Sequence, residues 1–317
     1  MRLLSIALAV LTSLPCSLPV RADDLFVAVG YGGRRISSPD GVHWQHEQRW
    51  SDEAKDDDTV LFNVAYGLGR FIAVGGGAEI GHILSTVDGQ QWTALPRVRG
   101  RVATIAFGNG RFVAEHDAEL LYSTDGETFQ VGQKLDWKAS VHARKSAFGD
   151  GEGGAMFVII GDADFHGETQ RVHYRATTSD GVRYASAARD TTPARDIAYG
   201  SGHFVVVGPN GLLESSHDGQ TWTKRNTDPA EDFESIVWTG TRFLAKGRRV
   251  WSSEDGLRWA PQSLKVPGNL AWARDGVGGI GFSWGGNVFH ASADLQTWTK
   301  AKVPPGPSFN AVARRAE

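Results

Sequence analysis

Short apolar runs separated by glycine turns recur along the whole chain. FNVAYGLGRFIAVG from Phe62, ATIAFGNGRFVAE from Ala103, RDIAYGSGHFVVVG from Arg195 and ESIVWTGTRFLAKG from Glu234 each read as an apolar strand, a tight turn and a second apolar strand. Glycine at the turn supplies a positive φ without a Cβ penalty. No long segment holds apolar residues at i, i+3, i+4 and i+7 without interruption, so helix is scarce and the fold is predicted to be nearly all β.

Downstream of each strand pair lies a second motif, S-x-D-G-x-x-W. It appears as SSPDGVHW from Ser37, STVDGQQW from Ser85, STDGETF from Ser123, TSDGVRY from Thr178, SSHDGQTW from Ser215, SSEDGLRW from Ser252 and SADLQTW from Ser292. Its aspartates, Asp40, Asp88, Asp125, Asp180, Asp218, Asp255 and Asp294, stand 48, 37, 55, 38, 37 and 39 residues apart. A unit of roughly 40 residues is the size of a four-stranded propeller blade. In such a turn the carboxylate accepts backbone N–H groups, the glycine turns left-handed and the aromatic packs back over the sheet, so the repeated aspartates are structural.

The ends of the chain complement one another. LFVAVG from Leu25 is a second strand with no first, and Phe309-Asn310-Ala311-Val312 near the end resembles a first strand with no second. The expected architecture is therefore a single-domain, all-β, seven-bladed β-propeller of four-stranded antiparallel blades, spanning 23–317 and closed by the C-terminal strand.

Residues 1–22 read as a secretory signal peptide: Arg2, an apolar run from Leu3 to Leu14, then a polar stretch ending Val20-Arg21-Ala22. The apolar run is too short for a membrane span, so cleavage near Ala22 and an extracytoplasmic, periplasmic or secreted location are expected, without stable membrane insertion. Cys16, the sole cysteine, leaves with the signal, which excludes disulfides and thiolate metal sites. Losing Arg2 and Arg21 takes 33 basic residues to 31 against 36 acidic ones, a formal charge of −5. That balance argues against a nucleic-acid partner. No phosphate loop, G-x-S-x-G, H-E-x-x-H, haem or flavin motif is present, and no cofactor is expected.

The Asp-Gly-aromatic turns resemble the Asp-box (BNR) repeats of sialidase-like propellers and of secreted bacterial relatives that include photosystem II assembly-factor-like proteins. The resemblance covers the mature chain and implies the propeller fold; the family spans glycosidases, sortilin-type receptors and assembly factors. Most copies here place glycine directly after the aspartate, Leu295 replaces it in the last, and Phe129 and Tyr184 replace the tryptophan in two. A sialidase would carry an early Arg-Ile-Pro; here Arg35-Ile36 is followed by Ser37 and falls inside a blade.

Recognition residues are expected on the face opposite the Asp turns, where second-to-third strand and inter-blade loops gather. The longest insertion, 161–175, carries Asp162, Asp164, His166 and Glu168, which point to one side if the segment is extended. Such a set suits a hard cation or acid/base chemistry, or equally a solvent-facing polar hairpin; no metal site is assigned. Further candidate ligand-binding residues are Arg34 and Arg35, Glu79 and His82, Glu115 and His116 with Asp117, Arg195 with Asp196, and Arg248 and Arg249. Arginines from several blades could converge on an anionic group, or serve as ordinary surface charge. Polar residues open every innermost strand, Asn63, Thr104, Lys145, Asp196, Ser235, Asn269 and Asn310, and either line the channel mouth or bond to neighbouring strands. Asp56-Asp57-Asp58 reads as a solvated loop. Trp272 is expected in the core, and Trp50, Trp137 and Trp284 as surface platforms.

The functional expectation is a monomeric propeller that binds a glycan or protein partner through its loop face without catalysis. The alternative is a carbohydrate-active enzyme, a glycoside hydrolase or polysaccharide lyase, acting on an anionic glycan.

Overall fold

A computed structural model describes residues 24–52, 57–273, 279–282, 288–292 and 294–315. The signal segment, Asp56 and Trp284 lie outside the described residues, as does the side chain of Trp272. Two single 3-10 turns, Tyr31–Gly33 and Asp57–Thr59, are the helix found among the described residues. The strands there group into seven four-stranded antiparallel sheets.

Sheets are numbered here in chain order. Sheet 1 is Phe26–Gly30, Arg35–Ser38 and Gln45–Gln48, with Phe309–Arg314 paired antiparallel to Phe26–Gly30. Sheet 2 starts at Leu61–Gly67, sheet 3 at Val102–Gly108, sheet 4 at Ala139–Gly149, sheet 5 at Asp196–Gly200, sheet 6 at Ser235–Trp238 and sheet 7 at Asn269–Ala273. The first strand of each sheet lies against the first strand of the next, and Phe309–Arg314 touches those of sheets 2 and 7.

Second strands are apolar without alternation because both their faces are covered. In His203–Val207, Phe204 and Val206 pack with Val158 and Ile160 of sheet 4, while Val205 and Val207 pack with Ile236, Phe243 and Ala245 of sheet 6. The aromatic-Gly pair that ends the first strands of sheets 2 to 5 has a related cause. A Cβ on Gly67 would lie 2.2 Å from the Phe107 ring, on Gly108 2.0 Å from Phe148, on Gly149 2.3 Å from Tyr199 and on Gly200 2.1 Å from Trp238. Each glycine is thus the seat for the aromatic of the following sheet. That aromatic also meets a phenylalanine of its own second strand, with centroids 4.9 Å apart for Phe107–Phe112 and 4.7 Å for Tyr199–Phe204.

All seven Asp turns have one geometry. One oxygen of Asp218 accepts the backbone N–H groups of Gln220 at 2.8 Å and Thr221 at 2.7 Å, and Ser216 Oγ accepts the N–H of Gly219 at 2.8 Å. The same bonds form at Asp40, Asp88, Asp125, Asp180, Asp255 and Asp294. The turn glycine seats on the preceding sheet; a Cβ on Gly219 would come within 2.5 Å of Val158. In the last turn Leu295 takes this position at φ 62° and buries its side chain with Val237, Leu244 and Val250 of sheet 6.

The two backbone donors hold Asp125 down to about 2, against an ordinary 3.8. A depressed carboxylate stabilises the fold above its ordinary pKa and loses that contribution as pH falls through the folded one. An Asp125→Asn variant is expected to unfold at lower urea than the parent at neutral pH, with the gap closing between about pH 4 and pH 2. A gap that is independent of pH would mean the turn does not use the charge.

Candidate functional site

Sheet 4 is built differently from the rest. Its first two strands run 11 and 10 residues, whereas first and second strands elsewhere run four to seven. The extra length lies at the end away from the Asp180 turn, so residues 139–143, 161–165 and 172–174 stand as a wall on the loop face. The wall has two unlike sides. On the sheet 3 side, Val141, Ala163, Phe165 and Tyr174 pack with Leu120 and Trp137. Trp137 is therefore half-buried against Phe165 and Tyr174, with centroids 5.7 Å from both, and not a surface platform.

The other side continues the face that packs on sheet 5 and carries a lateral row of directly opposed residues, His142, Asp162, His173 and Asp190. Asp162 is buried; it accepts from His173 Nδ1 at 2.6 Å and from Arg144 Nε at 2.7 Å. Asp164 accepts two parallel bonds from Arg171, both 2.9 Å, and lies 3.6 Å from His142 Nε2. Arg171 holds the Asp164 carboxyl below its usual range. Burial, followed by the Arg101 charge, lowers the His142 imidazole. The strand ends at Phe165, so His166 and Glu168 do not extend the row. His166 is exposed in the turn with its N–H on the Lys138 carbonyl, and Glu168 pairs with Arg189 at 2.8 Å.

The remaining candidates are dispersed. Arg34 is fully buried, forked onto Glu47 at 3.1 and 3.0 Å, bonded to the Pro304 and Pro307 carbonyls and stacked 4.2 Å over Phe309. It anchors the 304–307 segment that leads into Phe309–Arg314 and is not available to a ligand. Arg35 is buried against Gly33 and Gln48, and burial pushes its guanidinium down to about 10. Arg195 pairs with Asp232 at 2.8 Å and Glu234 at 2.5 Å, and Arg249 with Glu231 at 2.7 Å and Asp228 at 2.8 Å. Glu79 and Arg248 are exposed. Each of these paired arginines is met by acceptors of the protein itself, several of them one repeat or more away in sequence.

His82 accompanies Trp50, with ring centroids 4.7 Å apart, and both line a groove of about 260 Å3 with Arg97. Trp50 is 41% exposed. His116 pairs with Glu119 at 2.8 Å. Glu115 is buried between sheets 3 and 4, with the Tyr174 hydroxyl donating to it at 2.6 Å. Burial pushes the Glu115 carboxyl up to about 7; the Tyr174 and Tyr184 hydroxyls offset this only in part. No group of three metal-ligating side chains occurs among the described residues.

On the axis, a cavity of about 370 Å3 is lined by first-strand residues of all seven sheets. Of the polar residues that open those strands, Asn63, Lys145, Asp196, Ser235, Asn269 and Asn310 line it, Thr104 lies buried behind it, and several of them cross-link neighbouring strands. Asn310 Nδ2 donates to the Leu61 carbonyl at 3.0 Å, Asn63 Nδ2 to Thr104 Oγ1 at 3.4 Å, and Thr104 Oγ1 meets Ser146 Oγ at 2.7 Å. Asp196 accepts from the Ile236 N–H at 2.9 Å, and Ser235 Oγ from that of Leu270 at 2.8 Å. Sequence reasoning marked these positions; Ser146 escaped it because it lies one residue beyond the marked Lys145.

Glu115 yields a test of this geometry. A raised carboxyl pKa favours folding below its ordinary 4.5 and withdraws that contribution as pH rises through about 7. Glu115→Gln is expected to melt with the parent near pH 5 and above it near pH 8. Equal melting temperatures at both pH values would mean Glu115 is ionised and solvated.

No family model matches the chain, and no curated protein is similar to it. Solved structures are. A protein from Lactobacillus plantarum aligns over 92% of this chain and 99% of its own, with 11% identity and a TM-score of 0.64. The Pseudomonas aeruginosa periplasmic gluconolactonase PpgL covers 92% and 99%, with 12% identity and a TM-score of 0.53. YCF48 bound to a D1 peptide covers 94% and 98%, with 15% identity and a TM-score of 0.50. At these identities the likeness speaks for the fold alone, and the fold is a β-propeller.

Proposed function

We propose that this chain is an exported binding propeller: seven blades, closed by the C-terminal strand, released by cleavage near Ala22, and holding a partner at its loop face without turnover. The pairing of Phe309–Arg314 with Phe26–Gly30 and the continuous contact of first strands support the closed ring. The Asp turns support kinship with Asp-box propellers. A monomer accords with the scatter of the exposed large apolar side chains, Trp50, Leu68, Val87, Val131 and Leu257. No helix among the described residues is long and apolar enough to cross a membrane.

The observation that carries the binding reading is the wall of sheet 4. It offers a polar flank beside the loop face, a corner suited to an extended chain. Its carboxylates are already committed: Asp162 to Arg144 and His173, Asp164 to Arg171, Glu168 to Arg189. Hydrolysis of a glycoside needs two carboxyl groups free to exchange protons or attack, and such ion pairs oppose both. A protein or peptide is the favoured partner, since the similar YCF48 is bound to a peptide. A glycan is the second reading, favoured by the exposed Trp50 ring beside His82 and Arg97.

Residues 23–317 should release neither new reducing ends nor unsaturated products from a panel of neutral and acidic polysaccharides. Product release that vanishes in Asp164→Ala or Glu168→Ala would overturn this reading in favour of a hydrolase or lyase sited on sheet 4.

A further inference from the structure

The axial cavity holds a charge that the protein does not neutralise at contact distance. Lys145, on the first strand of sheet 4, lines the cavity, and among the described residues its ammonium makes no ion pair and no hydrogen bond. The charged groups around it are otherwise occupied. Both Asp196 oxygens accept backbone N–H groups, from Ile197 at 3.0 Å and Ile236 at 2.9 Å, so the carboxylate acts on Lys145 only through space. Glu234 is bonded to Arg195. Asn269 also lines the cavity, with no bond to its amide among the described residues.

An ammonium half-removed from water and lacking a partner is a standing attraction for an anionic group, because a charge-assisted bond there replaces lost hydration. The neighbouring side chains are amides and hydroxyls, Asn63, Ser146, Ser235, Asn269 and Asn310, which can donate to and accept from hydroxyl groups. At about 370 Å3 the cavity sits at the small end of ligand pockets, which run to about 300–1,000 Å3. It has room for a single small molecule and not for a folded segment.

We infer that the axial cavity is a binding site for a small hydroxylated carboxylate of monosaccharide size, its carboxylate on Lys145 and its hydroxyls among the amides of the surrounding strands. This site is separate from the partner surface at the wall of sheet 4 and does not depend on it. Asp196 is the nearest competing anion. Burial raises its pKa, so lowering the pH removes a repulsion and tightens binding of a ligand that stays ionised.

Isothermal titration with glucuronate as the probe, and glucose as its uncharged counterpart, tests the assignment. Glucuronate should bind at least about tenfold more tightly than glucose; Lys145→Gln should erase that preference, and Lys145→Arg should keep most of it. Asn269→Ala, checked with the others for an unchanged circular dichroism spectrum, should weaken glucuronate by a few-fold and supplies a second reading if Lys145→Gln does not fold. Arg171→Glu, on the wall, should bind glucuronate like the parent, so the two sites fail independently. No glucuronate heat at concentrations up to about 10 mM, or equal binding by Lys145→Gln, would overturn the assignment.

Discussion

A sheet of four short strands cannot bury two apolar faces by itself, and at four successive junctions, from sheet 2 to sheet 6, the contact that joins neighbours is the aromatic ring that one sheet lodges on the first-strand glycine of the sheet before it. Phe107 on Gly67, Phe148 on Gly108, Tyr199 on Gly149 and Trp238 on Gly200 leave no space for a Cβ. The seat brings neighbouring first strands together, while apolar residues of the sheets on either side cover the second strands. Asp turns fix the outer end of each sheet with bonds that are entirely local, so their glycines can rest on the preceding sheet as well. The spacing of sheets 2 to 6 follows from that repeated contact.

What repeats within about ten residues was legible in the sequence. The Asp turn carries its cause in neighbouring residues, and the unbroken apolar second strand shows its two covered faces in its own composition. What joins one sheet to the next was not. Arg195 meets Asp232 37 positions away, Arg175 meets Glu214 at 39, Asn63 meets Thr104 at 41 and Asp196 meets the Ile236 amide at 40. These separations equal one repeat, so the signal existed: an arginine with a carboxylate one repeat downstream points to a bridge between sheets rather than a free recognition group. Arg34 lay beyond even that rule, since its partners include the Pro304 and Pro307 carbonyls at the other end of the chain.

The same accounting separates the loop face from the axis. On the wall of sheet 4, acid and base alternate across His142, Asp162, His173 and Asp190, cross-strand neighbours that stabilise one another. Its polar character is thus mostly internal, with a flank left for contact. In the cavity the belt satisfies most of its members, and the residues it leaves over, Lys145 and Asn269, are those with chemistry to offer a ligand. Groups that are spent in structure and groups that are left over lie on different surfaces, and the functional proposals divide along that line.

The central claim is that the C-terminal strand completes the first sheet and so closes the ring on which both surfaces depend. Amide hydrogen exchange on residues 309–314 tests it most directly. The account predicts protection there equal to that of Phe26–Gly30, with both segments opening only in global unfolding. Exchange of 309–314 at the rate of free chain, while Phe26–Gly30 stays protected, would contradict it.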